Sequence, residues 1–366
     1  MWKKPAAASL LALGLAASAA AQDVGMKVGF SARPLGGMSF WVATRAASVI
    51  FETGESDAVS QPWDSVLIQG ESPDQGVDFE FSRRLASGAW GAWTPAQITR
   101  RTADGRFWAR ARLAKASPGS LRLRGLDAGV QSGHWLEIYT VEAFDSGAVT
   151  QEAPGPAPAE PPSAPPAPRP LVHGRQEWAA REPKEPYTPH APDRLTLHHT
   201  AGRQTASLQA SLDEVRFIQD FHQNGRGWSD IGYHFLVDPA GNIFTGRPET
   251  VQGAHVKESN KGNLGISLLG NHHPPKDHPV TPAALDAVTA LGRFLIGAYL
   301  IPAGTLRGHR DFNSGTECPG DLAYMRLGEL RGRLSQTGAK LSAPRKRFHV
   351  PSWASSALDW DAGLRP

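Results

Sequence analysis

The chain has 366 residues, 40% of them hydrophobic and 20% charged, which is enough for two or three domains with real cores. Its 38 Lys and Arg nearly balance 35 Asp and Glu, so a formal charge of +3 leaves no electrostatic footprint for nucleic acid. A single cysteine, Cys318, excludes a disulfide-stapled secreted scaffold, while 38 glycines and 30 prolines announce many turns and at least one linker.

The first residues have the layout of an export signal. Lys3 and Lys4 precede an apolar run containing Leu10, Leu11, Leu13 and Leu15, and Ala19-Ala20-Ala21 offers a small-residue cleavage site. The apolar run is too short for a comfortable membrane span, and no other stretch approaches one. Residues 1–21 therefore read as a signal peptide, and the mature protein as secreted or periplasmic with no integral membrane segment.

From 24 to 150 the pattern alternates with period two. Phe40-Trp41-Val42, Val49-Ile50-Phe51, Val66-Leu67-Ile68, Val77 to Phe81, Leu121 to Arg124 and Trp135 to Tyr139 are strand candidates separated by Gly, Pro, Ser and Asp. That predicts an all-β, sandwich-like domain, a possible wall-binding module. Within it, Trp90 and Trp93 either face a carbohydrate or, more commonly for such pairs, fill a core or an edge. Nine of the nineteen residues from 152 to 170 are proline, so 151–171 reads as an extended, semi-rigid spacer that holds the β domain away from the C-terminal half of the chain.

Residues 172–335 change texture to strands interleaved with helices, which means α/β. Leu195-Thr196-Leu197 is a strand ending in His198-His199. Leu208, Leu212, Val215, Ile218 and Phe221 recur at helical spacing, and 234–238 and 243–245 form a hairpin around Pro239 to Asn242. Leu264 to Gly270 reads as a buried strand. Thr281-Pro282 starts a helix with a capping side chain and proline at its first position. A last helix is expected over 321–334, and 336–366 reads as a polar tail with a basic patch at Arg345-Lys346-Arg347.

Three residues in this region suit a metal: His198 at the end of its strand, His309, and Cys318 nine residues later across a Gly- and Pro-punctuated loop. Two imidazoles and a thiolate fit zinc, and three protein ligands leave a fourth position open, as catalytic sites require. With thirteen histidines in the chain, accidental triplets and a merely buried thiol remain alternatives on spacing alone.

The ordered motifs resemble a known family. Arg175 to Ala180, Leu197-His198-His199-Thr200-Ala201, Phe221-His222 with Gly227 to Phe235, Asn263 to Ile266, Gly308-His309-Arg310 and Thr316 to Gly320 are similar, in that order, to the peptidoglycan recognition proteins and type 2 N-acetylmuramoyl-L-alanine amidases. The resemblance implies a mixed central sheet flanked by helices. It implies Zn²⁺ held by His198, His309 and Cys318, and hydrolysis of the amide between N-acetylmuramic acid and L-alanine of peptidoglycan or its muropeptides. Tyr233 and Thr316 are implied as catalytic, and His255, His222 and Trp228 as substrate contacts. Ser267 stands where some intracellular relatives have a glutamate, which leaves proton handling to Tyr233 and the metal site. His199, Arg310 and Asp311 are candidates for bracing the ligands. The competing reading is a non-catalytic peptidoglycan-binding module; some relatives keep the groove and lose the cysteine, which is present here.

Overall fold

The computed structural model describes residues 26–27, 38–41, 48–72, 76–100, 105–129, 133–147 and 167–336. The expected signal peptide, most of the proline spacer and all but the first residue of the tail lie outside the described residues.

The N-terminal part is one curled antiparallel sheet. Its strands are β1 (Met26–Lys27), β2 (Met38–Trp41), β3 (Val49–Glu52), β4 (Trp63–Glu71), β5 (Val77–Arg83), β6 (Thr94–Arg100), β7 (Arg106–Ser117), β8 (Leu121–Asp127) and β9 (Gly133–Phe144). They lie in the order β1-β9-β4-β7-β6-β5-β8-β3, with β2 also pairing β9. Alternate residues enclose the core, among them Val66, Ile68, Phe79, Phe81, Phe107, Leu121 and Leu123. Trp90 and Trp93 are only half-buried, and guanidinium groups cover their rings: Arg84 and Arg122 lie 5.1 and 4.7 Å from Trp90, Arg122 and Arg124 4.5 and 4.2 Å from Trp93.

A β-bulge in β9 decides what this sheet does on its other face. Gln69 of β4 pairs with Thr140, but the next residue, Gly70, pairs with Ile138, so Tyr139 is the extra residue. Before the bulge Leu136 and Ile138 enter the core; after it Val141 and Ala143 do. Tyr139, Thr140 and Glu142 are thereby turned outward. Gly70 is required opposite: a Cβ there would sit 2.1 Å from the Glu137 carbonyl oxygen.

The second part, from 194 to 335, is α/β. Its strands are β10 (Arg194–His199), β11 (Phe235–Val237), β12 (Ile243–Thr245), β13 (Asn263–Leu268) and β14 (Arg307–Gly308), in the order β12-β11-β13-β10-β14. The sheet is mixed: β11, β13, β10 and β14 run parallel, and β12 returns antiparallel as the predicted hairpin. The helices are α1 (Leu208–Asp220), α2 (Pro282–Tyr299), α3 (Asp321–Tyr324) and α4 (Leu327–Ser335). Ser207 and Thr281 cap α1 and α2 by accepting the N–H groups of Ala210 and Ala284. Leu195, Leu197, Leu264, Ile266 and Leu268 meet α2 and α4 on one face of the sheet. On the other face, Leu236 and Phe244 pack with Val215 and Ile218 of α1 and with Trp178. Trp178 is fully buried and its indole N–H donates to the Thr245 carbonyl, while Arg175 donates to that of Gly246, so the opening motif pins the entering segment to the hairpin.

The two parts are packed together rather than held apart. The outward face of β4, β7 and β9 lies on α1 and on the π-helical turn 221–225 that continues it, burying Leu67, Trp108 and Phe144 against Phe217 and Phe221. Arg106, fully buried, donates to both carboxylate oxygens of Glu214 at 2.9 and 2.6 Å and to the Gly70 carbonyl. Its guanidinium also lies 3.9 Å from the centre of the Phe217 ring. Trp108 donates to Asp220 at 2.7 Å, Arg226 pairs with Glu142 at 2.6 Å, Arg203 pairs with Glu71, and Lys276 with Glu137. Apolar contact supplies the attraction, and the pairing of opposite charges offsets the desolvation penalty that unpaired ones would carry in full.

Candidate metal centre

Strand alternation delivers the first ligand. Leu195 and Leu197 point into the α2 side, so His198 points to the α1 side, at the C-terminal end of a buried parallel strand. His309 follows β14, the neighbour of β10, in a tight turn whose first N–H, that of Gly308, donates to Asp311. The loop beyond it returns because the Arg310 N–H donates to the Cys318 carbonyl at 2.9 Å. The ligand atoms of His198, His309 and Cys318 lie within 4.8 Å of one another, and all three residues are buried. The arrangement brings together the three metal candidates that the sequence singles out.

Hydrogen bonds set which nitrogen of His198 is available. His255 Nε2 faces the Asn263 carbonyl at 3.0 Å, which requires a proton on that nitrogen and leaves Nδ1 as an acceptor. His198 Nε2 then donates to His255 Nδ1 at 3.0 Å, and the lone pair of His198 Nδ1 faces Cys318 Sγ at 3.4 Å. Burial, then His309 and His255 nearby, hold the His198 pKa well below the ordinary imidazole value, and burial pushes His255 down to about 3. Both rings are therefore neutral, the state in which imidazole binds a metal. Gly265 makes this packing possible, since a Cβ there would meet the His255 ring at 2.8 Å.

The donor set fits zinc. It offers two imidazoles, that of His198 neutral, and a thiol, and His309 and Cys318 lie on the wall of a cavity of about 120 Å³ that leaves room for a fourth partner. Tyr233, Thr316, His222, Trp228 and His255 also line that cavity. The Tyr233 ring lies 5.3 Å from that of His198, and burial followed by the nearby Cys318 raises its pKa above the usual phenol value. The His222 ring lies tilted against that of Trp228 with centres 4.7 Å apart, and its Nδ1 accepts the Gly232 N–H, so the proton is on Nε2. Burial keeps this ring neutral too. Thr316 Oγ1 accepts the N–H of Cys318. His199 turns its Nδ1 to the His272 N–H, and Arg310 ties the loop by bonding Asp321 and the Glu317 carbonyl.

The same cavity has lining that the sequence motifs do not flag: Gln69, Thr140 and Glu142 from the β domain and Glu214 from α1. Their only trace in the sequence is a polar residue wherever a strand or helix is buried on a second side.

Residues 188–321 match the profile of the family described as N-acetylmuramoyl-L-alanine amidase. Peptidoglycan-recognition protein SC2 of Drosophila simulans is 38% identical over 125 residues, 34% of this chain and 66% of its own length. Peptidoglycan-recognition protein SD of the same fly is 33% identical over 154 residues, 41% of this chain and 80% of its own. Among solved structures, the N-acetylmuramoyl-L-alanine amidase LysC from Clostridium intestinale is 30% identical, with 45% of this chain and 97% of that one covered at a TM-score of 0.38. The chain thus spans just under two thirds of the length of the first of these relatives. Through its α/β part, the chain belongs to the peptidoglycan-recognition and amidase family.

Proposed function

We infer that the chain is a zinc-dependent N-acetylmuramoyl-L-alanine amidase acting on peptidoglycan outside the cytoplasm, exported by residues 1–21. The observation that carries this reading is the buried cluster of His198, His309 and Cys318, the last two on the wall of a cavity that Tyr233 shares. Zinc, when bound there, supplies Lewis acidity toward the scissile carbonyl and acidifies water.

The reaction adds water across an amide: an oxygen–carbon bond forms, the carbon–nitrogen bond breaks, and the leaving nitrogen takes a proton. The residues of this chain have distinct parts in it. Tyr233, whose raised pKa keeps it protonated, donates a hydrogen bond to the carbonyl oxygen as that oxygen gains charge. Thr316, already accepting from Cys318, turns its own O–H toward the cavity and adds a neutral donor. His222 presents Nε2–H, and Trp228 an aromatic face, to the substrate. His255 holds His198 in one tautomer and acts as a positioning residue.

The test is incubation with soluble muropeptides, with and without a zinc chelator, and identification of the products by mass. Free stem peptide, lost on chelation and restored by zinc, is expected. Intact muropeptides that nevertheless bind the folded, zinc-replete protein would make it a recognition module instead. Tyr233→Phe is expected to lower kcat by about 10²–10³ while leaving zinc content unchanged, the cost of removing one donor to a developing oxyanion.

A further inference from the structure

We propose that the β domain is part of the substrate site: the outward face of β4 and β9, at Gln69 and Thr140, forms a second wall of the cavity and hydrogen-bonds a neutral amide or hydroxyl group of the muropeptide. This rests on the amidase reading above. Three observations lead to it.

The first is placement. Gln69 and Thr140 are direct cross-strand partners, and both line the cavity that contains His309 and Cys318. The bulge at Tyr139 is what aims Thr140 there instead of into the sheet's own core. The second is rigidity. The buried Arg106–Glu214 pair, the Arg226–Glu142 pair and the cluster around Phe217 fix this face on α1, so the wall stands in one position relative to the metal ligands. The third is chemistry. Thr140 is only 6% exposed, and its buried hydroxyl has no partner among the described residues. A buried hydroxyl that finds no protein partner is costly, and a ligand group that supplies one recovers that cost.

Charge narrows the class of group. Glu142 and Glu214 also face the cavity, and the arginines at this wall already bind them. Each carboxylate is thus matched by a cation, which leaves this wall without net charge, and an uncharged amide or hydroxyl meets the Thr140 hydroxyl and Gln69 Nε2, the Gln69 oxygen already accepting from Arg106. In a muropeptide that chemistry comes from an N-acetyl sugar or from a peptide bond.

Binding is measured by calorimetry on the full zinc-replete chain in a Tyr233→Phe background, which slows turnover. Two probes are used: a disaccharide muropeptide, and the same peptide on N-acetylmuramic acid alone. Thr140→Val is expected to weaken binding about fivefold to tenfold, the worth of one hydrogen bond. Thr140→Ser should restore it to within about twofold, and with Tyr233 intact the Thr140→Val loss should reappear in KM. Loss confined to the disaccharide probe assigns the contact to the second sugar; loss with both assigns it to the muramyl-peptide part. Gln69→Met, which keeps the shape without the amide, is the second variant and decides the matter if Thr140→Val does not fold. Binding by the folded variants within twofold of the parent overturns the proposal and leaves the amidase reading standing. A parent that binds neither probe overturns both.

Discussion

Cys318→Ser is expected to release the metal and abolish hydrolysis together. Cys318 is buried, and its sulfur lies 3.4 Å from the one His198 nitrogen whose lone pair is available. Serine keeps the size but not the ligand: its hydroxyl does not ionise at neutral pH, and zinc binds the thiolate. The loss of affinity should exceed the roughly 10–100-fold that comes from disturbing a ligand's supporting hydrogen bonds. The checks are zinc per chain after dialysis and release of free stem peptide from muropeptides. A Cys318→Ser protein that retains one zinc and cuts at the parent rate would remove this residue from the metal site.

Arg106→Ala should be the most damaging single change outside the metal site. Arg106 and Glu214 are 0% and 1% exposed in their side chains and bind each other across the two parts of the chain. Removing the cation leaves a carboxylate buried without its partner, which costs about 3–5 kcal/mol. Replacing both at once, as Arg106→Met with Glu214→Leu, puts apolar groups of similar volume in their place and should recover most of that loss. Urea unfolding of the full chain measures both. A cost below about 1 kcal/mol for Arg106→Ala would mean the interface opens to water and solvates Glu214.

The features legible in the sequence were local or carried by spacing. His198 ends a strand with apolar residues at alternate positions, so both its position and its facing come from period two. His309 and Cys318 are joined by a short loop, so their proximity needs only a turn. The hairpin around Asp238 and the capped start of α2 come from turn and cap chemistry. The expected helix over 321–334 is two helices, because α3 closes with Met325 donating to Asp321 and Arg326 to Ala323. No glycine or proline marks that break, so periodicity runs straight through it.

The packing of the β domain was not legible for a different reason. Proline-rich composition describes the stiffness of residues 151–171, not the affinity of the surfaces they join. The contact itself is long-range: Arg106 meets a residue 108 positions away. Its polar members, Arg106, Glu214, Asp220 and Glu142, look in sequence like a solvated face, yet none is more than 3% exposed. Only the matching of charges across the two surfaces distinguishes them, and a single strand or helix does not display its partner.

The bulge in β9 also makes chain length a constraint of its own. Core and interface residues are phased differently on its two sides: Leu136 and Ile138 before it, Val141 and Ala143 after it. Lose Tyr139, and the bulge closes: Ile138 and Val141 become two apart, and both halves keep their facing. Keep Tyr139 but straighten the strand, and either Thr140 and Glu142 turn into the apolar core or Leu136 and Ile138 turn out of it. Substitutions along this strand act one side chain at a time, but a residue gained or lost away from the bulge inverts part of the strand at once. Drift in sequence length should therefore accumulate in the loops flanking β9 and spare the strand, even at positions where the identity of the residue is free to vary.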